Sequence, residues 1–387
     1  MRILVLAPQP FFVPRGTPIA VRALLQVLSG EGHDCDALVF SEGTDPEIER
    51  VRVHRVPALP GTRNMAPGFS LKKVICDAMM LPMAAWRLAR HDYDLVIAVE
   101  ESAFIALVLK PFFRVPYVYD MDSSIPEQIG DKFNLPGWLS RLLEGAEARA
   151  ARGSIGAITC CQALQDLVEG YAPGLPVQTL EDVTLIEDVS ETVAPGDCRF
   201  DEPVVMYIGN LESYQGVGLL IESFAKAINA GQHARLVIIG GTDSHIAEHR
   251  ALAESLGIAD NVSLLGPRPV DRIGEYLAQA TIVASPRTQG RNTPMKVYSY
   301  LDSGSPLLAT RLPTHTQVLD DRISMLVEPN AEDMARGIHA LLSDPNLRQS
   351  LAAAAQERVR QDFSAEAYAR KLKHFMTARI EPQLRPG

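Results

Sequence analysis

The sequence predicts an α/β fold built from two doubly wound parallel-sheet domains in tandem. Short apolar runs alternate with longer segments of helical spacing along the 387 residues. The alternation restarts after an acidic, turn-rich stretch at 181–203. An apolar fraction of 47% provides material for two cores. We therefore expect an N-terminal domain at 1–185, a C-terminal domain at 200–363 and a last helical segment at 364–387.

The N-terminal half alternates strand-like and helix-like segments. The predicted strands are "RILVLAP", "CDALVF", "VRVHRV", "YDLVIAVE", "VPYVYD" and "IGAITC". The predicted helices lie at 18–29, 70–90, 102–109 and 136–152. Continuous apolar strands joined by helical crossovers are typical of a parallel sheet that is covered on both faces. Pro82 is expected to kink or break the second helix.

The C-terminal half repeats this alternation. Its predicted strands are "PVVMYIGN", "ARLVIIGG", "NVSLLG", "TIVASP", "SPLLAT" and "ISMLVEP". Its predicted helices lie at 216–230, 245–256 and 272–280, from Pro294 onwards, and through 332–377. Ligands of open α/β sheets bind beyond the carboxyl ends of the strands. Two such domains facing across a cleft suit a transferase that joins two molecules.

Charge and cysteine usage exclude several classes of protein. A net charge of −10 argues against a nucleic-acid partner. The sequence has no run of about 18 uncharged apolar residues, so no transmembrane helix is expected. The N-terminus lacks a signal-peptide pattern. The five cysteines are scattered without metal-ligand spacing, so a reduced, cytoplasmic chain is expected.

The stretch "RTQGRNTPMKVYSYLDSG" predicts an anion site. It follows a strand, and Pro294 suits the first position of a helix, with Asn292 or Thr293 as the N-cap. The free N–H groups of a first helical turn favour phosphate, and Lys296, Arg291 and Arg287 add positive charge. The alternative is a capped structural helix with surface cations.

Two other strand-to-helix turns could meet a phosphate. One contains Gly209 in "YIGNLESYQGVG", and the other contains Gly16 and Thr17, with Arg15 beside them. The alternative in both cases is an ordinary tight turn, which also favours glycine. Four acids, which we expect at strand ends of the first domain, could orient hydroxyl groups, or could be solvated loop carboxylates: Glu100, Glu101, Asp120 and Asp122. The sequence contains no acidic triad for a metal, so no metal is expected to be required.

Several of these segments resemble glycosyltransferase family 4, the retaining sugar-nucleotide transferases of GT-B architecture. The carriers include "RGTPIAVRALLQVLSGEGHDCDALVF", "YIGNLESYQGVGLLIESF" and "NTPMKVYSYLDSGSPLLAT", and the resemblance covers nearly the whole chain. It implies a hexosyltransferase-type enzyme, with a UDP- or GDP-linked sugar bound mainly by the C-terminal domain. The acceptor would be bound mainly by the N-terminal domain, onto which the last helices would cross back.

The resemblance implies specific site residues. Lys296 and Arg291 would stabilise the leaving diphosphate, and Asp120 and Asp122 would orient hydroxyl groups. The implied donor-binding residues are Gly16, Thr17, Gly209, Asn210, Gln215, Gly266, Arg268, Arg287, Asn292, Thr293 and Ser299.

The sequence departs from the family pattern at several of these positions. Asn210 and Gln215 stand where the family has an Arg and a Lys that contact the donor diphosphate. The family has a Glu-x7-Glu signature, longer in some branches, and Gln289 and Ser299 are the best matches to its two glutamates. Met121 replaces the His of an acceptor-loop His-Asp pair. A catalytically silent nucleotide- or glycan-binding protein is therefore an alternative. A sugar-nucleotide epimerase of the same fold is another, although the missing glutamates weigh against it.

A basic and apolar segment at 63–90 indicates an anionic membrane surface as a partner. Residues 51–91 include seven Lys and Arg residues and a single acid, Asp77. We expect a lipid or lipid-linked glycan acceptor of the cell envelope, and an enzyme that is peripheral on the inner membrane. The alternative is an amphipathic helix packed on its own sheet, with an ordinary cationic face.

Overall fold

The structure is a computed structural model, and it describes residues 1–13, 16–58, 71–132, 136–186 and 195–384. The chain forms two compact units. The first contains Met1–Glu181 together with Tyr368–Gly387, and the second contains Asp182–Ala367. Arg15 and the first part of the predicted membrane segment, 63–70, lie outside the described residues.

The first unit is built on a seven-stranded parallel sheet of order β3-β2-β1-β4-β5-β6-β7. Its strands are β1 (Arg2–Ala7), β2 (Asp34–Val39), β3 (Val51–Arg55), β4 (Leu95–Val99), β5 (Tyr117–Met121), β6 (Gly156–Thr159) and β7 (Val177–Thr179). Its helices up to this point are α1 (Gly16–Gly30), α2 (Leu71–Arg90), α3 (Ser102–Phe113), α4 (Ile125–Lys132), α5 (Gly137–Gly153) and α6 (Gln162–Tyr171).

Helices α2, α3, α5 and α6 cover one face of this sheet. Their buried apolar residues join those of the central strands in a single core, as Met80 and Ile105 do with Leu6 and Tyr119. The predicted break at Pro82 is wrong, because α2 continues through it as one helix. Pro82 lies on the exposed side, where water can satisfy the carbonyl that loses its N–H partner.

The second unit is built on a six-stranded parallel sheet of order β10-β9-β8-β11-β12-β13. Its strands are β8 (Val204–Ile208), β9 (Arg235–Ile239), β10 (Val262–Gly266), β11 (Ile282–Ser285), β12 (Leu307–Thr310) and β13 (Met325–Val327). Its helices are α7 (Val217–Asn229), α8 (Asp243–Ser255), α9 (Ile273–Leu277), α10 (Lys296–Asp302), α11 (Pro313–Thr316), α12 (Ala331–Ser343) and α13 (Pro345–Arg358).

The last helices, α14 (Ala365–Phe375) and α15 (Glu381–Leu384), follow this sheet in the chain. Lys371 of α14 forms a 2.7 Å ion pair with Glu181 of the first unit. Ile380 and Phe375 pack so close to β6 that a Cβ on Gly156 would lie 2.6 Å and 3.0 Å from them. The C-terminal segment is therefore part of the first unit.

In the part of the chain that the structure describes, no helix is both long enough and apolar enough to cross a bilayer.

Candidate functional site

The second sheet has a topological switch point between β8 and β11. Strands β8, β9 and β10 extend to one side, and β11, β12 and β13 extend to the other. Ligands of open α/β sheets bind in the crevice at the carboxyl ends of the two strands that flank such a point. The residues that follow β8 and β11 therefore form the candidate site.

Gly216 brings the loops after these two strands into contact. Its φ of +72° is in the left-handed region, and a Cβ there would lie 2.0 Å from the carbonyl oxygen of Pro286. The N–H of Thr288 donates a 2.9 Å hydrogen bond to the carbonyl of Tyr214. Only glycine allows this approach, so the glycine of "YQG" holds the two loops together.

Lys296 lies between the two loops. Its ammonium donates hydrogen bonds to the Tyr207 hydroxyl at 2.8 Å and to Oε1 of Gln215 at 2.9 Å. It also lies 4.0 Å from the centroid of the Tyr207 ring, a cation–π contact. Burial, and secondly the positive charge of Arg287, lower the pKa of Lys296 well below its usual value. The ammonium of Lys296 is therefore strongly desolvated in this site.

Arg287 is the second cation of the site. Its guanidinium donates to the carbonyl of Asn292 at 2.8 Å and to the Thr314 hydroxyl at 3.2 Å, and stacks on the Tyr214 ring at 5.2 Å. Its Nε is buried and has no hydrogen-bond partner among the described residues. Burial lowers the pKa of Arg287. Among those residues, no carboxylate pairs with Arg287 or Lys296, and such a pair of cations favours an anionic ligand.

The start of α10 differs from the sequence prediction. The helix begins at Lys296, and Met295 before it has helical backbone angles and no side-chain cap. The N–H groups of Val297 and Tyr298 bond to the carbonyls of Pro294 and Met295, forming a tight turn of i+3 bonds. No side chain caps this helix, so the predicted capping by Asn292 or Thr293 is wrong, whereas the predicted role of these two residues in binding a phosphate stays a prediction. The positive charge of the site comes from side chains.

Asn292 and Thr293 have other positions in the loop. The backbone carbonyl of Asn292 accepts hydrogen bonds from Arg287 and, at 2.6 Å, from the Thr314 hydroxyl. Thr293 is buried, and its hydroxyl has no partner among the described residues. Asn292 thus contacts Arg287 through its backbone carbonyl.

Three other predicted residues adjoin Lys296 or its loop. A Cβ on Gly209 would lie 3.2 Å from the Lys296 ammonium. Asn210 has an exposed side chain, and its carbonyl accepts a 2.6 Å hydrogen bond from the Tyr207 hydroxyl. Arg291 is exposed in the loop before α10.

The remaining residues predicted in the second unit have other recorded contacts or positions. Ser299 is buried, and its hydroxyl accepts the N–H of Leu185 at 3.0 Å. Gly266 ends β10, two strands away from β8. Arg268 forms a 2.6 Å ion pair with Asp197.

Sequence reasoning missed a buried support beneath the site. Nδ1 of His315 donates to the carbonyl of Thr310 at 2.8 Å, which leaves Nε2 to accept the Ser285 hydroxyl at 2.9 Å. Burial lowers the pKa of His315 to about 4, so the ring is neutral. These two hydrogen bonds connect the carboxyl ends of β11 and β12 through the His315 ring. No motif in the sequence signalled it.

The first unit has an acidic group at the carboxyl ends of β4 and β5. Lys73 of α2 lies 3.1 Å from Glu100 and 2.7 Å from Glu101. The Ser123 hydroxyl donates to Glu100 at 3.0 Å. Asp120 is buried, and burial with the nearby Glu100 charge raises the pKa of Asp120 to about 7. This carboxyl can therefore carry or release a proton near neutral pH.

The other residues predicted in this unit are Asp122, Gly16 and Thr17. Asp122 is half-buried, and its carbonyl accepts a contact from the Cys160 thiol at 3.3 Å. Gly16 and Thr17 form the first turn of α1 rather than preceding it. Within the described ranges, no group of three or more His, Cys, Asp or Glu side chains is arranged to hold a metal ion.

Comparisons with known proteins agree with this architecture. Residues 15–176 match the model of a glycosyl transferase 4-like domain, and residues 194–358 match that of the glycosyl transferases group 1. The chain is 29% identical to D-inositol 3-phosphate glycosyltransferase of Acidothermus cellulolyticus, over 39% of this chain and 36% of the relative. It is 22% identical to alpha-D-kanosaminyltransferase of Streptomyces kanamyceticus, over 86% and 92% of the two chains. The match to the Acidothermus relative thus spans about a third of that protein's length.

Solved structures are similar over almost the whole chain. Sucrose-phosphate synthase from Thermosynechococcus elongatus superposes with a TM-score of 0.75 at 19% identity, covering 97% of this chain and 98% of that chain. Anabaena HepE in complex with UDP superposes with a TM-score of 0.73 at 17% identity, covering 98% and 100%. With the two parallel sheets, these likenesses confirm the predicted GT-B fold class. The family matches, one in each half of the chain, show that the protein belongs to the group 1 glycosyltransferases of family 4.

Proposed function

We propose that this protein transfers a hexosyl group from a nucleotide sugar to an acceptor hydroxyl, and that Lys296 and Arg287 hold the donor diphosphate. The observation that carries the proposal is the pair of desolvated cations without a carboxylate partner among the described residues. They lie at the switch point, where α/β sheets bind nucleotides. A diphosphate would supply the counter-charge that no carboxylate of the described residues provides.

The site offers donors for this anion. Tyr207 and Gln215 use two of the three N–H donors of the Lys296 ammonium, which leaves one for a ligand. Nε of Arg287 adds another donor. Gly209 has no side chain beside the ammonium, so a phosphate oxygen can approach it closely. Because Anabaena HepE has been solved with UDP-glucose, a UDP-linked hexose is the first donor to test, and a GDP-linked sugar is the second.

The proposed transfer retains the anomeric configuration. The bond from the anomeric carbon to the phosphate oxygen breaks, and its electron pair stays on that oxygen. The acceptor oxygen bonds to the anomeric carbon on the same face, and its proton passes to a phosphate oxygen of the leaving group. Lys296 and Arg287 stabilise the charge that develops on the diphosphate, as preorganised cations do best. Their charge also makes a metal unnecessary in this scheme.

The proposed acceptor is a hydroxyl of a lipid or lipid-linked glycan. Its support is the basic and apolar character of α2, which belongs to the first unit. The acids at the carboxyl ends of β4 and β5 lie in the same unit. Asp120 and Asp122 are the proposed hydroxyl-orienting residues, because a carboxylate accepts hydrogen bonds from sugar hydroxyls.

A thermal-shift panel of nucleoside diphosphates and nucleotide sugars tests the donor site. We expect one base to raise the Tm of the wild type, and Lys296→Ala to lose that shift. Lys226→Ala is the matched control, because Lys226 is an exposed lysine of the same unit, where it pairs with Glu332. Failure of every nucleotide to stabilise the wild type would overturn the donor assignment.

A catalytically silent nucleotide-binding protein is the second candidate. The exposed Gln289 and the buried Ser299 favour it, since they stand where the resembled family has its two carboxylates. Donor hydrolysis without acceptor discriminates the two functions, since a transferase releases free sugar slowly and a binding protein does not. The anomeric configuration of that sugar, read by NMR before it mutarotates, tests retention.

A further inference from the structure

Helices α2, α3 and α5 of the first unit lie side by side on one face of its sheet. Helix α3 contacts both α2 and α5. The inner sides of all three pack into the core, as Met80, Ile105 and Ala150 do. Their outer sides form a continuous surface, which we call the three-helix surface.

The outer side of α2 is apolar. Ile75, Ala78, Pro82, Trp86 and Ala89 are exposed, and they follow one another at intervals of three or four residues. This spacing places them in one stripe along the helix. A helix that packs on its own sheet normally presents charged and polar residues there. Packing of α2 on its own sheet therefore does not account for the apolar character of its exposed side.

The neighbouring helices extend the apolar surface. On α3, Val108 is 53% exposed and Phe112 is 77% exposed. On α5, Trp138 is 68% exposed and Leu142 is 57% exposed. Every large apolar side chain that is exposed in the described part of the chain lies on these three helices. Such clustering marks an interaction site, whereas single exposed apolar residues are ordinary.

The three-helix surface is also basic. Within their bounds, α2, α3 and α5 carry eight Lys and Arg residues and three Asp and Glu residues, a net charge of +5. The whole chain has a net charge of −10. At the exposed positions of these helices, one acid, Glu144, is outnumbered by five basic residues: Lys72, Arg90, Arg141, Arg149 and Arg152.

We infer that the three-helix surface docks on an anionic lipid bilayer. Its apolar side chains would enter the boundary between headgroups and acyl chains, and its basic residues would contact the anionic headgroups. The chain has two tryptophans, Trp86 and Trp138, and both are exposed on this surface. Tryptophan favours this interfacial depth. An anionic bilayer is favoured over a protein partner because exposed positive charge lies on both α2 and α5, on either side of the apolar residues of α3.

The two tryptophans report docking directly. The full chain is titrated with vesicles of phosphatidylcholine alone and of phosphatidylcholine with phosphatidylglycerol. We expect a blue shift of tryptophan emission, and quenching by brominated lipid, only with the anionic vesicles. Trp86→Phe and Trp138→Phe assign the signal to each helix, since phenylalanine keeps the apolar contact. Added salt should weaken binding.

Paired substitutions test the two sources of affinity. Ile75→Ser together with Phe112→Ser keeps both reporters, and we expect vesicle partitioning to fall at least about tenfold. Arg141→Glu should lower it about tenfold at low salt. Arg250→Glu, an equal charge reversal at an exposed position of α8, is the control and should leave partitioning unchanged. An unchanged Tm in each variant shows that the fold is intact.

Three outcomes would overturn the inference: no binding to anionic vesicles, equal binding by wild type and the serine double variant, or equal loss in the Arg250 control. Dimerisation without lipid that shields both tryptophans from an aqueous quencher would assign the surface to a second copy of the chain instead. The measurement needs no donor and no transfer. Its result is therefore independent of the proposed activity.

Discussion

The ammonium of Lys296 lies 2.9 Å from the side-chain oxygen of Gln215. Gln215 stands where the resembled family has a lysine before the second glycine of the turn. In this protein, a lysine from α10 reaches the same point, and the glutamine accepts its hydrogen bond. The neutral residue at 215 therefore does not leave the site without positive charge.

Replacing this glutamine by lysine should create a like-charge pair. At about 3 Å, two ammonium groups repel by about 5 kcal/mol at an effective dielectric constant of 20, and deprotonation of one relieves part of this. We expect Gln215→Lys to lower the unfolding free energy by about 1–3 kcal/mol, and a nucleoside diphosphate to restore it. Denaturation with and without nucleotide measures both effects. If the neutral Gln215→Met variant loses as much and is rescued as well, the charge argument is wrong.

Nucleotide binding should take up protons. Burial and Arg287 lower the pKa of Lys296 in the free protein, and a bound diphosphate would raise it again. Affinity should therefore fall as the pH rises through the lowered pKa. Calorimetry in buffers of different ionisation enthalpy measures the uptake. Lys226→Ala should keep it and Lys296→Ala should abolish it, so an uptake retained in the latter would point to another group.

Gly216→Ala should destabilise the second unit severely. The new methyl group would meet the Pro286 carbonyl at 2.0 Å, and the backbone φ is +72°. Gly231 is the matched control, because it also has a positive φ, +92°, but has open space around its Cβ position. We expect about 1 kcal/mol of lost stability for Gly231→Ala and at least about 3 kcal/mol for Gly216→Ala. Similar losses of stability in the two variants would show that the loops after β8 and β11 can separate without lowering the free energy of unfolding.

Asp120→Asn should flatten the pH dependence of stability. Burial and Glu100 raise the pKa of Asp120 to about 7, so the folded state holds its proton more tightly than the unfolded state. The resulting stability is complete below the unfolded pKa and is lost as the pH rises through about 7. From pH 6 to 8.5 the variant should lose at least about 1 kcal/mol less than the wild type. The exposed Asp92→Asn control should follow the wild type, and an equal slope in Asp120→Asn would exclude this carboxyl as the cause.

The sequence predicted the parallel sheets because uninterrupted apolar strands record burial on both faces. Strands such as β4 and β8 are buried throughout, so no other reading of their composition was available. The sequence-based prediction was wrong at Pro82, because a proline on the exposed side of a helix need not break that helix. That exposure is set by packing across the sheet, which no local pattern encodes.

The site was predictable in its charges and unpredictable in its contacts. Lys296 and Arg287 stood out as cations after a strand, and both lie at the switch point. The capping of α10 failed because Pro294 and Met295 close the turn with backbone bonds. Tyr207 and His315 were missed because a buried hydroxyl or imidazole leaves no signature until its distant partner is known.

The pair of cations formed by Lys296 and Arg287, which no carboxylate in the described ranges neutralises, bears on the choice of buffer for this protein. Inorganic anions compete for such a pair by mass action. Phosphate or sulfate buffers would then act as occupants of the site, raising the melting temperature and weakening apparent nucleotide affinity. Nucleotide affinities measured in a bulky zwitterionic buffer and in phosphate would differ. Their ratio would report the occupancy of the nucleotide-free site by inorganic anion.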